Sequence, residues 1–161
     1  LIDNSKVFTP GDLLEVYSYS QEAINLLAQK GYDFVLITGQ PNRRSRNIEI
    51  QDFENILNSM KEMFVASGAS MRGSYFTNSI DKKDPYVKPN TGMFKRAEHE
   101  KKIVWNETFY VGADINDIKA ANSVKTTPIL IGQLSETELL SINHIPNLQS
   151  FNTLLDFAKA V

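Results

Sequence analysis

Asp3, Thr38, Lys88, Asp114 and Asp117 are the residues whose types and settings suit chemistry best. Asp3 follows the apolar pair Leu1-Ile2 and leads into Asn4-Ser5, while Thr38-Gly39-Gln40 follows the apolar run Phe34-Val35-Leu36-Ile37. Lys88 sits in a polar loop ahead of a helical pattern. Gly112-Ala113-Asp114, with Asp117 close behind, follows Thr108-Phe109-Tyr110-Val111. A carboxylate, a hydroxyl, a lysine and further carboxylates gathered at one sheet edge suit a phosphoryl group and a hard divalent cation. Each residue also has a plain structural reading. Asp3 can satisfy a turn at a strand end, Thr38 can close a strand, and Lys88 can be a solvated loop charge. Asp114 and Asp117 can cap the free amides of a helix start and complement its dipole. Arg43, Arg44 and Arg46 are either a solvated basic loop or a set of forked donors for a second phosphate or a carboxylate.

Bringing these residues together requires strands that end on the same side, and the apolar periodicity supplies them. Ser20 to Lys30 carries a helical stripe of Ala23, Ile24, Leu26 and Leu27, closed by Gly31 in a position that favours a left-handed cap. Phe34 to Ile37 reads as a strand. Ile50, Phe53, Ile56, Leu57, Met60, Met63 and Phe64 recur at helical steps and predict a long amphipathic helix ending near Gly68. Further strands are expected at Ser74–Thr77, Thr108–Val111 and Pro128–Ile131, with helices at Thr91–Lys102 and Asn116–Asn122. Phe151, Leu154, Leu155 and Ala158 predict a last helix over Phe151–Ala160. Continuously apolar strands alternating with helices predict an α/β fold, a parallel sheet covered on both faces. Ligands of such sheets bind beyond the carboxyl ends of the strands, where the candidate residues fall.

The segments, in this order, resemble the haloacid dehalogenase (HAD) superfamily. The likeness is to its capless branch of histidinol-phosphate phosphatase, heptose bisphosphate phosphatase and the phosphatase domain of polynucleotide kinase. Thr38-Gly39-Gln40 looks like the branch's Thr-Asn-Gln, and Lys88-Pro89-Asn90-Thr91-Gly92-Met93 looks like its Lys-Pro-x-x-Gly-Met. Val111 to Ala121 looks like Val-Gly-Asp-x-x-x-Asp-Ile-x-Ala-Ala. The likeness runs from about Leu1 to Ile131. It implies a three-layer Rossmann-like fold with a central parallel sheet, helices on both faces and no cap domain, residues 1–161 forming one domain whose first strand looks truncated at Leu1. It also implies a magnesium-dependent phosphatase. Asp3 would attack phosphorus to form an aspartyl-phosphate. Thr38 would donate to the phosphoryl oxygens, Lys88 would neutralise the transferring group, and Gly39, Gln40 and the Arg43, Arg44 and Arg46 patch would lie against the substrate. Asp3, Ser5, Asp114 and Asp117 are the candidate holders of the metal.

Three departures from the branch stand out. Ser5 occupies the place of the acid/base Asp, and general acid-base help is typically worth ~10²–10⁴-fold in rate. Ala113 replaces the first Asp of the last motif, a direct metal ligand in the family; Asp114, one residue later, reaches the ion only if the loop shifts, so a weakened magnesium site is expected. The stretch from Gly73 to Val87 holds no Cys or His, which removes the zinc-binding loop of some sugar-phosphate relatives. Two readings follow. The first is a phosphatase of a small phosphomonoester, a sugar phosphate or related metabolite, with impaired acid/base chemistry. The second is a catalytically degenerate HAD-fold module that binds a protein partner.

Composition narrows the field. In 161 residues, 17 basic and 19 acidic side chains give a formal net charge of −2. No broad positive field exists for a nucleic-acid backbone or an anionic membrane, and neither partner is expected. The absence of cysteine excludes disulfides and thiol catalysis. No apolar run nears the ~20 residues of a spanning helix, the first residues lack the blocks of a signal peptide, and a cytoplasmic protein is expected. His99 and His144 lie outside the motifs without metal-ligand spacing. Trp105 is expected in the core at the approach to the Thr108–Val111 strand, and Tyr17 and Tyr19 are assigned only to packing.

Overall fold

The structure, a computed structural model, describes residues 17–39, 50–77 and 79–161. Its elements are α1 (Ser18–Gln29), β1 (Asp33–Gly39), α2 (Ile50–Ala66), β2 (Ser70–Thr77), α3 (Gly92–Lys101), β3 (Phe109–Gly112), α4 (Ile115–Ser123), β4 (Thr127–Ile131), α5 (Glu136–Ile142), β5 (Gln149–Phe151) and α6 (Leu154–Ala160). Every strand pairing is parallel: β1 with β2, β3 with β4, and β4 with β5. Each pair is joined by a helix, as parallel neighbours demand.

Alternation along the strands sends side chains to two faces, and both are covered. On one face, Ile37 of β1 and Tyr75 of β2 pack with Met93, Phe94 and Ala97 of α3 and Ala120 of α4. Leu130 of β4 joins Ile118 of α4 and Ile142 of α5 on that side. On the other face, Ile129 meets Ala23 and Leu27 of α1 and Leu154 and Phe157 of α6. Phe34 packs edge-on to Phe64 of α2 there, ring centroids 5.1 Å apart. Ile129 and Leu130, adjacent in sequence, thus serve opposite layers. The result is the three-layer α/β arrangement expected, with no cap domain among the described residues. Phe94, Met93, Ile24 and Ile118 are fully buried, each worth roughly 1.5–3 kcal/mol of burial.

Two expectations need correction. The last helix starts at Leu154, not Phe151, because Thr153 caps it: its hydroxyl accepts from the Asp156 amide (3.1 Å) while its own amide donates to the Asp156 carboxylate (3.0 Å). Phe151 belongs to β5, yet its ring lies 5.6 Å from that of Phe157, so one core receives both. The second strand runs from Ser70, four residues earlier than its apolar run, because it alternates exposed and partly buried positions along the sheet edge. Gly31 adopts the left-handed backbone (φ 87°) that ends α1. Trp105, in a 3₁₀ turn before β3, packs edge-on to Phe94 at 5.3 Å.

Candidate active site

The carboxyl ends of β1 and β3 and the loop before α3 carry the candidate site. Among the described residues β1 pairs only with β2 and β3 only with β4. The Tyr110 hydroxyl of β3 lies 3.4 Å from the carbonyl oxygen of Ile37 in β1. Thr38 follows directly, as the penultimate residue of β1, opposite Phe76 of β2. Gly39 ends the strand; among the described residues an added Cβ would meet nothing nearer than Thr77 Cγ2, at 3.9 Å.

The loop presenting Lys88 is laced by its own hydrogen bonds. Asp81 accepts from the Lys83 amide at 2.9 Å and Asp84 from the Tyr86 amide at 2.8 Å, the side-chain turns that Asp favours. The Asn90 side-chain amide donates to the carbonyls of Lys82 (3.0 Å) and Asp84 (2.9 Å). Gly92 donates its amide to Pro85 O at 2.8 Å, and a Cβ there would fall 2.5 Å from that same oxygen, so the close approach requires glycine.

Lys88 reaches from this loop to Asp117 in the first turn of α4. Its ammonium forms an ion pair with Asp117 Oδ1 and lies 3.2 Å from the Tyr110 hydroxyl, which is itself 3.2 Å from Asp117 Oδ1. The other carboxylate oxygen, Oδ2, accepts from the amides of Ala113 (3.0 Å) and Asp114 (3.4 Å). The pair is largely shielded, the Lys88 and Asp117 side chains being 14% and 11% exposed. Gly112 makes this possible, since a Cβ on it would lie 2.3 Å from Asp117 Cβ. Burial pushes the Tyr110 phenol well above its ordinary pKa, with the Asp117 charge and hydrogen bond adding to the effect. The ring therefore keeps its proton at neutral pH.

Asp114 occupies the helix cap. Its Oδ1 accepts from the amides of Asn116 (2.7 Å) and Asp117 (2.9 Å), and Asp117 returns the bond, a full capping box. Both oxygens of Asp117 and one of Asp114 are thus engaged within the protein. Ala113 contributes a methyl group where the family motif has a carboxylate, and among the described residues no group of His, Cys, Asp or Glu can hold a metal ion. These residues alone do not fit a divalent cation. His99 and His144 are exposed and join no such group.

Lys88 and Asp117, predicted separately from the sequence, come together, and Thr38 lies one residue beyond the carbonyl at which Tyr110 meets β1. Asp3, Ser5, Gln40, Arg43, Arg44 and Arg46 lie outside the described residues. Tyr110 was not among the sequence candidates. Its signal was faint: a hydroxyl in an otherwise apolar strand, two residues before Gly112.

No protein-family model matches the chain. It is 25% identical over 146 residues to D-glycero-beta-D-manno-heptose-1,7-bisphosphate 7-phosphatase of Neisseria meningitidis, covering 88% of this chain and 78% of that protein. The structure is similar to D,D-heptose 1,7-bisphosphate phosphatase from B. bronchiseptica, solved with magnesium and phosphate, with a TM-score of 0.79. That match has 19% identity and covers 98% of this chain and 89% of the other. The corresponding phosphatase from Burkholderia thailandensis gives a TM-score of 0.67 at 20% identity, covering 91% and 86%. The fold is the HAD-like one, and the resemblance read from the motifs is borne out. No helix among the described residues is long and apolar enough to cross a membrane.

Proposed function

We propose that this chain is a HAD-type phosphatase that hydrolyses a small phosphorylated sugar or related metabolite through an aspartyl-phosphate. The observation that carries this reading is the shielded Lys88–Asp117 ion pair at the carboxyl edge, beside the end of the strand bearing Thr38. The similarity to heptose-bisphosphate phosphatases supports the substrate class.

In this reading a carboxylate oxygen of Asp3 attacks phosphorus, and the bond from phosphorus to the sugar oxygen breaks. Thr38 donates to a phosphoryl oxygen, and the Lys88 ammonium offsets charge on the transferring group. Such positioned electrostatics are most of what phosphoryl transfer requires of a protein. Asp117 pairs with the Lys88 ammonium and aims it. Ser5 cannot supply a proton as a carboxylic acid does, so the departing oxygen takes one from water. Water then attacks the aspartyl-phosphate, releasing inorganic phosphate and restoring Asp3. Arg43, Arg44 and Arg46 receive a second phosphate or a carboxylate of the substrate. Magnesium would be weakly held, because Ala113 lacks the carboxylate of the motif it resembles.

The test is phosphate release from a panel of sugar mono- and bisphosphates, with and without magnesium. The reading expects slow release from at least one substrate, lost in Asp3→Asn and Lys88→Met. No release from any of them, under any metal, would overturn it.

A further inference from the structure

One phenol oxygen meets three of the segments that build the site. The Tyr110 hydroxyl lies 3.2 Å from Lys88 Nζ, 3.2 Å from Asp117 Oδ1 and 3.4 Å from the carbonyl of Ile37. An ammonium only donates, and a hydroxyl has one proton and two lone pairs. The Tyr110 oxygen therefore accepts from Lys88, and its single proton goes to the nearer, charged acceptor, Asp117 Oδ1. We propose that Tyr110 is a positioning residue, whose hydroxyl fixes the Lys88 ammonium against the end of β1 and so holds its remaining donor for a phosphoryl group. What the ammonium is held for rests on the phosphatase reading; the holding itself does not.

The need for a second contact follows from lysine's chemistry. Its ammonium is a point charge on a flexible four-carbon stem with three donors, and an ion pair alone lets it pivot about one oxygen. Tyr110 adds a second point of contact, on a ring held by packing. The ring packs against the fully buried Phe94, centroids 4.9 Å apart. The Ile37 carbonyl that the hydroxyl approaches lies one residue before Thr38. Among the described residues, Asp117 and Tyr110 engage two of the three Lys88 donors.

Tyr110→Phe keeps the ring and removes only the hydroxyl. It is compared in the full chain with Lys88→Gln and with the double variant. The first measurement is affinity for inorganic phosphate. The second is the acetylation rate of Lys88 at one fixed pH, read by peptide mass spectrometry against Lys95 and Lys119. Loss of a hydrogen bond to a charged group predicts about tenfold weaker phosphate binding in Tyr110→Phe and no further loss when Lys88→Gln is already present. Lys88 should be acetylated about tenfold faster, with the reference lysines unchanged. Unchanged Lys88 acetylation and phosphate affinity in a folded Tyr110→Phe chain would show that Tyr110 only packs. Failure of the wild-type chain to bind phosphate counts against the phosphatase reading, and the acetylation rates then decide the present proposal alone. Should Tyr110→Phe not fold, the wild-type chain answers by NMR: a slowly exchanging Tyr110 hydroxyl proton close to Lys88 supports the proposal, and its absence overturns it.

Discussion

Asp117 receives the Lys88 ammonium and the Tyr110 hydroxyl on one carboxylate oxygen, and the backbone amides of Ala113 and Asp114 on the other. The two amides fix which oxygen faces which way. In Asp117→Asn the side-chain carbonyl must still face those amides, which turns the NH₂ group toward an ammonium that has nothing to donate to there. A shielded charge loses its partner, a change that costs about 3 kcal/mol or more. Thermal unfolding should show a fall in Tm of roughly 6–12 °C for a chain of this size. A Tm within a degree of wild type would mean that the pair is solvated and does not organise the site.

Gly112→Ala probes the same carboxylate from the backbone side. The new methyl would stand 2.3 Å from Asp117 Cβ and 2.9 Å from its Cγ, a distance no pair of carbons tolerates. Either the β3–α4 turn opens or Asp117 leaves Lys88. Overpacking of this kind typically costs about 1–3 kcal/mol. Gly39→Ala is the control, since its methyl meets nothing closer than 3.9 Å among the described residues. Denaturant midpoints should drop for the first variant and stay near wild type for the second.

The fold was legible because apolar runs and helical stripes report burial directly: Phe34 to Ile37, Pro128 to Ile131 and the α2 stripe each mark an element. Phe151 shows the limit of that signal. It is partly buried against Phe157 as its spacing suggested, but burial does not distinguish a strand end from a helix start, and the boundary is drawn by the polar pair Thr153 and Asp156. The short α5 was missed for a related reason, its start depending on the Ser135–Glu138 capping box while Leu139 and Leu140 stay exposed. In the site, Lys88 and Asp117 were found through motif spacing. Tyr110 was not, because a tyrosine in an apolar strand looks like core until its hydroxyl is given partners.

Tyr75 supplies a pH dependence. Burial raises its phenol above the ordinary value of 10.0, and a hydrogen bond to Glu100 Oε2 at 3.0 Å raises it further. In the unfolded chain Tyr75 ionises at its ordinary value while the folded chain still holds the proton. Its contribution to stability is therefore complete below about pH 10 and is lost as pH rises toward the folded value. Stability measured from pH 9 to 12 should fall less steeply in Tyr75→Phe than in wild type. Equal slopes would place the Tyr75 hydroxyl in water.

Ala113→Asp tests whether the β3–α4 turn can hold a metal ion once a further carboxylate is supplied. The Ala113 amide already donates to Asp117 Oδ2, so the backbone at this position is anchored, and a carboxylate built on it adds a third negative charge beside Asp114 and Asp117. Without metal, crowding of like charges should lower stability. With magnesium, a cation bound only by the folded chain should restore it, by about 2.7 kcal/mol at a hundredfold excess over its dissociation constant. The expected result is a Tm that is below wild type in chelator and rises with added magnesium in Ala113→Asp, while wild type responds weakly. On the phosphatase reading, phosphate release rises in step. A Tm of Ala113→Asp that ignores magnesium would mean that the turn has lost the shape, and not only the ligand, that a cation needs.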